Sequence, residues 1–194
     1  MLTPSQFVER WQAEVVARSA LPEDLRLVTA PPERIHALAL PDDTRRLLTE
    51  AGLPESCAPF LGFKDVGRGL PRIGEVYSPG QWTDEEKSRF DHFRMIGSDG
   101  AGNPLCVDVR DWRVFLVDHE DRFRTTQFMN SSVPHLAECL LAFQTAPKTD
   151  RREALRRVDA PAVDESAFWF YETFVESPAT GANVPAAKPW WKFW

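Results

Sequence analysis

Three stretches of this chain hold residue types from which a reactive or ligand-binding site could be built. The first is IGSDGAGNPLCVDV, residues 96–109, with glycines at 97, 100 and 102. A phosphate loop of the G-x-x-x-x-G-K-[ST] kind needs a lysine for the phosphates and a hydroxyl for magnesium, and this stretch has neither. A dinucleotide fingerprint opens a helix after a strand, whereas here Pro104 and an alternating apolar run follow. A calcium loop needs oxygen ligands at regular steps and a late glutamate, and Asp99 and Asn103 do not complete that set. The spacing therefore reads as a glycine-rich turn between two strands.

The second stretch is DHED, Asp118 to Asp121. Neighbouring strand residues point to opposite faces, so contiguous acids seldom converge on one ion, and a solvated turn after RVFLV is the expectation. The third is Ser131-Ser132, which lacks the G-x-S-x-G setting of a nucleophile elbow and reads as a helix cap. His36, His92, His119 and His135 show no H-x-x-x-H spacing. Cys57, Cys106 and Cys139 form no C-x-x-C pair, and an odd count argues against a disulfide framework. Cys106 and Cys139 sit in apolar runs as small core residues. No catalytic, cofactor-binding or metal-ligating residue is assigned on this basis. A site assembled from distant residues such as Asp108, His119 and Glu120 stays open.

The elements around these stretches are marked by local signals. Thr3 caps a first helix, with Pro4 at its first position and Gln6 completing a capping box. Phe7, Val8, Trp11, Val15 and Val16 follow at helical spacing. Residues 19–41 are proline-rich and expected to be irregular. Asp42 or Asp43 starts a short helix with Leu47 and Leu48 inward, and Gly52 stops it. Short strands are expected at Leu61 to Phe63 and Ile73 to Tyr77. TDEE, Thr83 to Glu86, is a second capping box, opening a helix to about His92. FRMIG, PLCVDV, RVFLVD and RTTQFM are four runs separated by turn residues, the pattern of a β-meander. Val133, Leu136, Leu140 and Phe143 share a helix face, and Asp150 and Glu153 frame another short helix. Ala167, Phe168, Tyr171, Phe174 and Val175 give the last helix an apolar stripe. Residues 177–189 read as a linker before the aromatic string WWKFW.

The balance of the 194 residues bounds the function. Hydrophobic residues make up 43% and charged residues 27%, which is globular composition. A formal net charge of -6 disfavours nucleic acid and fits a basic protein partner. Asp84 to Asp121 carries ten acids against five bases, and Lys148 to Arg157 five bases against two acids. The N-terminus lacks the basic start and apolar stretch of a signal peptide, and no segment approaches a membrane span. A reducing, cytoplasmic setting is the expectation.

IGSDGAGNPLCVDVRDWRVFLVDHE followed by QFMNSSVPHLAECLLAF resembles the SUKH superfamily, and more closely its fourth subgroup of bacterial immunity proteins. The shared marks are an Ile-Gly ending one strand, a polar turn, and an apolar strand carrying Asp108. A hairpin to Val114–Val117 follows, and then Phe128 to Val133 leading into an amphipathic helix. Leu53 and Pro54 also fit, and the resemblance runs from about Ala39 to Val175. It implies an α+β fold, a single, mostly antiparallel sheet flanked by helices, over residues 1–176, with 177–194 as linker and tail. It implies a non-catalytic protein that binds and neutralises a cognate toxin domain by stoichiometric occlusion, with no cofactor, nucleic acid, membrane or small-molecule substrate. An intracellular interaction or regulatory module of the same fold is the alternative. Relatives often place a glycine at the hairpin turn, where this chain has Asp111-Trp112. The partner-binding expectation falls on Asp111, an exposed Trp112, Asp118, Glu120 and Asp121. Trp190, Trp191 and Trp194 either pack on their own domain or anchor a partner.

Overall fold

In the computed structural model, which describes residues 1–20, 22–77 and 81–174, the apolar runs between Phe93 and Asn130 pair as a meander. The strands are β1 (Leu27–Val28), β2 (Leu53–Pro54), β3 (Ser56–Cys57), β4 (Leu61–Gly62), β5 (Phe93–Asp99), β6 (Pro104–Asp108), β7 (Val114–Val117) and β8 (Thr126–Asn130). β3 to β8 lie side by side in chain order, every pair antiparallel, while β1 and β2 form a separate two-stranded pair. The architecture is α+β, as the sequence indicates. Gly97 is where β5 passes close to β4, since a Cβ there would sit 1.8 Å from the Gly62 carbonyl oxygen. The Ile-Gly pair thus marks a close backbone approach beside a register shift between Met95 and Gly97.

The helices are α1 (Pro4–Arg10), α2 (Pro32–Ile35), α3 (Asp42–Arg46), α4 (Lys64–Gly67), α5 (Ile73–Val76), α6 (Asp84–Phe90), α7 (Val133–Thr145), α8 (Arg151–Val158) and α9 (Phe168–Glu172). Their starts follow local chemistry. Thr3 and Thr83 form the expected capping boxes with Gln6 and Glu86, and Ser132 caps α7 by accepting from the His135 N–H. α1 runs on through π-helical and 3-10 turns to Arg18, burying Phe7, Trp11 and Val15. α3 continues through a π-helical turn to Ala51 and ends at Gly52, whose φ of 79° suits a residue without a Cβ.

Two cores sandwich the sheet. Ile96, Leu105, Val107, Val114, Leu116 and Met129 face the larger core, against α7 residues Val133, Leu136, Leu140 and Phe143 and against α1. Phe93, Met95, Cys106 and Val117 face a smaller one with Ile73, Phe90 and Phe123. All three cysteines are free and buried, and burial pushes each thiol's pKa up, which makes them poor nucleophiles.

Three expectations need correction. Ile73–Val76 is a helical turn rather than a strand: Glu75 reaches back to accept the Arg72 N–H at 2.8 Å, and Ile73 alone of these residues is buried. Residues 19–41 hold β1 and α2, because β1 finds its partner in β2, more than twenty residues downstream. The last helix is a short turn, so a 3.6-residue stripe never repeats. Trp169 is fully buried there, while Tyr171 is half-buried and Phe174 exposed. Val175 and the expected linker and tail, 177–194, lie outside the described residues.

Candidate functional site

The β6–β7 hairpin is built around Asp108. Its N–H donates to the Arg113 carbonyl at 2.9 Å and its carbonyl accepts the Trp112 N–H at 2.7 Å. Its buried carboxylate accepts from the Arg110 N–H at 2.9 Å and takes the Arg110 guanidinium on both oxygens, the shortest contact being 2.6 Å. Burial alone would raise the Asp108 pKa, but the Arg110 hydrogen bonds outweigh it and hold the carboxyl below the usual range. Trp112 has a φ of 65°, so a tryptophan occupies the left-handed position for which glycine is suited. It is not exposed as the sequence suggests. Its ring is half-buried and packs against the larger core. Asp111 remains exposed and pairs with Arg113 at 2.5 Å.

On the opposite face of the sheet the smaller core covers only part of β7 and β8. Phe115 and Phe128 stay half-exposed, their ring centroids 5.9 Å apart, and Thr126 is exposed. A cleft of about 440 Å³ opens beside them, lined among others by Arg89, His92, Asp108, Arg113, Phe115 and Arg124. The Arg113 guanidinium lies 5.5 Å from the Phe115 ring centre. His92 sits 3.8 Å from Asp108. Burial lowers its pKa, and the Asp108 charge only partly offsets that.

The acids of residues 84–121 are largely spent locally. Asp84 pairs with Lys87, Glu85 with Arg89 and Glu86 with Arg122. Asp118 is buried rather than solvated: its carboxylate accepts from the Glu120 N–H at 2.8 Å and closes the turn. Asp121 accepts from the Arg124 N–H, and Glu120 is exposed. At the glycine turn, Asp99 accepts from the Ala101 and Asn103 N–H groups, and the buried Asn103 side chain accepts from the His119 N–H. His119 therefore sits at the Asn103 end of the β6–β7 pair and Asp108 at the hairpin end, so the Asp108–His119–Glu120 combination is not assembled. Among the described residues, no group of three or more His, Cys, Asp and Glu side chains is placed to hold a metal ion.

The Asn-Ser-Ser motif is a core lock. Asp159 accepts from Asn130 Nδ2 at 3.0 Å, from the Ser131 N–H at 2.8 Å and from Ser131 Oγ at 2.7 Å. Asn130 Oδ1 accepts from Trp169 Nε1 at 3.0 Å. The motif joins β8, α7 and the segment before α9, and its polar atoms face one another instead of a cleft.

Sequence reasoning missed two surface features. The arginines of the cleft come from separate elements, although the alternation Arg113, Phe115, Val117 leading into β7 is a usable sign that one strand face carries both charge and ring. Phe60, between β3 and β4, is 85% exposed with a φ of 63°, and nothing in its neighbours' types distinguishes it from a core aromatic. No curated protein and no solved structure matches the chain. A family model described as SUKH-4 immunity protein matches residues 3–174.

Proposed function

The chain belongs to the SUKH-4 immunity protein family, and from that membership we propose that it binds a cognate bacterial toxin domain and neutralises it by stoichiometric occlusion, with no chemistry of its own. The observation that supports this reading is where the reactive side chains go. Asp108 is held by Arg110, His119 by Asn103, Asp118 by its own turn and Ser131 by Asp159, while the Phe115–Phe128 pair lies half-open on the sheet face. Polar groups consumed by the fold and aromatic surface left uncovered suit a protein interface better than a reaction centre.

In this reading the exposed Asp111 and Glu120, with Asp121, border the contact surface at the two ends of β7, while the half-buried Trp112 and the buried Asp118 hold the hairpin tip and the following turn in shape. The net charge of -6 favours a toxin that is basic overall. Three buried free cysteines suit a reducing cytoplasm. Among the described residues no helix is long and apolar enough to cross a membrane. Residues 1–176 would form the binding unit and 177–194 an appendage to it.

The test is co-expression with the toxin domain encoded beside this chain's gene. Rescue of growth, with a one-to-one complex on size-exclusion chromatography, is the expected result. Continued toxicity with no complex from the purified proteins would overturn the proposal.

A further inference from the structure

We infer that the arginine-rimmed cleft on the open half of the sheet receives an acidic segment of the toxin domain, an inference that rests on the toxin-binding reading above. The cleft reverses the sign of the chain. The protein carries a net charge of -6, yet Arg89, Arg110, Arg113 and Arg124 line this cleft together with a single carboxylate, Asp108. That carboxylate is already taken by Arg110 on both oxygens. The other arginines are held less firmly. Arg124 has no carboxylate partner among the described residues, and Arg89 and Arg113 pair only with the surface acids Glu85 and Asp111. The Glu85 side chain is 82% exposed, and an ion pair so open to water is readily exchanged for an incoming carboxylate.

The shape of the site narrows the occupant further. The floor is aromatic, with the Phe93 and Phe115 ring centroids 6.1 Å apart and the Arg113 guanidinium over the Phe115 ring. A volume of about 440 Å³ admits a few side chains of one loop. Guanidinium groups bind carboxylates by paired, directional hydrogen bonds, and the rings offer contact to an apolar neighbour. An Asp- or Glu-containing loop with an adjacent apolar residue satisfies both. Long-range attraction of a basic toxin and short-range capture of its acidic loop are compatible, since the first depends on net charge and the second on this cleft.

The experiment uses the full chain and the toxin domain encoded beside it. One arm compares wild type with Arg113→Glu/Arg124→Glu, two exposed positions. The expected result is an unchanged melting temperature and binding weakened roughly tenfold or more. If that variant does not fold, Arg113→Gln/Arg124→Gln gives the same comparison without charge reversal. The second arm places a benzoylphenylalanine photocrosslinker at Thr126, on the cleft rim. The crosslinked toxin peptide should carry more Asp and Glu than Lys and Arg. Wild-type affinity in a folded arginine variant overturns the inference while leaving the toxin-binding reading standing. So does a crosslink to a basic toxin peptide or to residues 177–194 of this chain, and so does displacement of the toxin by a fluorescent single-stranded oligonucleotide. Wild type failing to bind the toxin at all overturns both.

Discussion

Asn130 Nδ2 donates to Asp159 Oδ2 across 3.0 Å, and both residues are buried. Through this bond the last strand is tied to the turn after α8, and through Asn130 Oδ1 to Trp169. The network is closed: an anionic acceptor, an amide that both donates and accepts, and an indole donor. Removing Asn130 takes one of three donors from the Asp159 carboxylate and leaves the Trp169 indole N–H without its acceptor.

Asn130→Ala should therefore destabilise the protein by about 3 kcal/mol, since it leaves a buried carboxylate and an indole N–H short of partners. Urea unfolding measures it. A change below about 0.5 kcal/mol, the size of an ordinary surface substitution, would mean that the network does not form.

Leu140 is fully buried on the face of α7 that meets the sheet. Leu140→Ala should cost roughly 2–5 kcal/mol, depending on how far the site collapses. Equal unfolding midpoints for the two proteins would place that face against solvent.

Trp112 combines half-burial with a φ of 65°. Alanine and glycine at this position both lose the ring, but only glycine relieves the left-handed backbone. Trp112→Gly should be more stable than Trp112→Ala by about 1 kcal/mol, against the usual order in regular structure. Alanine matching or exceeding glycine would show that the tip is not left-handed.

Asp118 and Glu120 are two residues apart and should behave oppositely. Asp118→Ala removes the acceptor that closes the turn and should cost roughly 1–3 kcal/mol. Glu120→Lys, at an exposed position, should stay within about 0.5 kcal/mol of wild type. Thermal melts of the two variants side by side decide the matter.

His92 should titrate below its ordinary value of 6.5 in a proton NMR experiment, because burial disfavours its charged form. Asp108→Asn should lower it further, since the Asp108 charge is the larger of the two, with Asp91, that favour the protonated ring. The sign for stability follows. A depressed histidine pKa means that the unfolded chain binds more protons near pH 6, so stability falls as pH drops from 6.5 through the folded pKa. The Asp108 carboxyl is also depressed, from 3.8, and its contribution is complete above that pH and lost below it. Both groups make the protein less stable toward acid. A His92 pKa that rises in Asp108→Asn would contradict the cleft geometry.

The features legible in the sequence are those with causes within a few residues of chain. Thr3, Thr83 and Ser132 satisfy N–H groups three positions ahead, Gly52 permits a left-handed stop, and period-two apolar runs between turn residues pair in order as β5 to β8. The Asn-Ser-Ser motif and Asp108 stood out in the sequence as well, but their roles did not, because their partners are set by other elements. Asp159 lies 28 residues from Ser131, and only the packing of α8 on α7, with the turn after α8 set against β8, brings its carboxylate to the motif. Ile73–Val76 reads as a strand from its Ile and Val between glycine- and proline-rich turns, yet a side-chain cap from Glu75 and burial of Ile73 beside Phe90 and Phe93 make it a helical turn. Trp112 reads as exposed from its charged neighbours, yet its ring packs on the larger core, whose residues come from distant parts of the chain. The cleft is the clearest case. Arg89 comes from α6, Arg113 from the hairpin and Arg124 from the loop before β8, so their common surface exists only once three segments meet on one sheet face. Local hydrogen bonding and periodicity determine the elements; which charges share a surface depends on contacts distant in sequence, and those the tertiary structure alone decided.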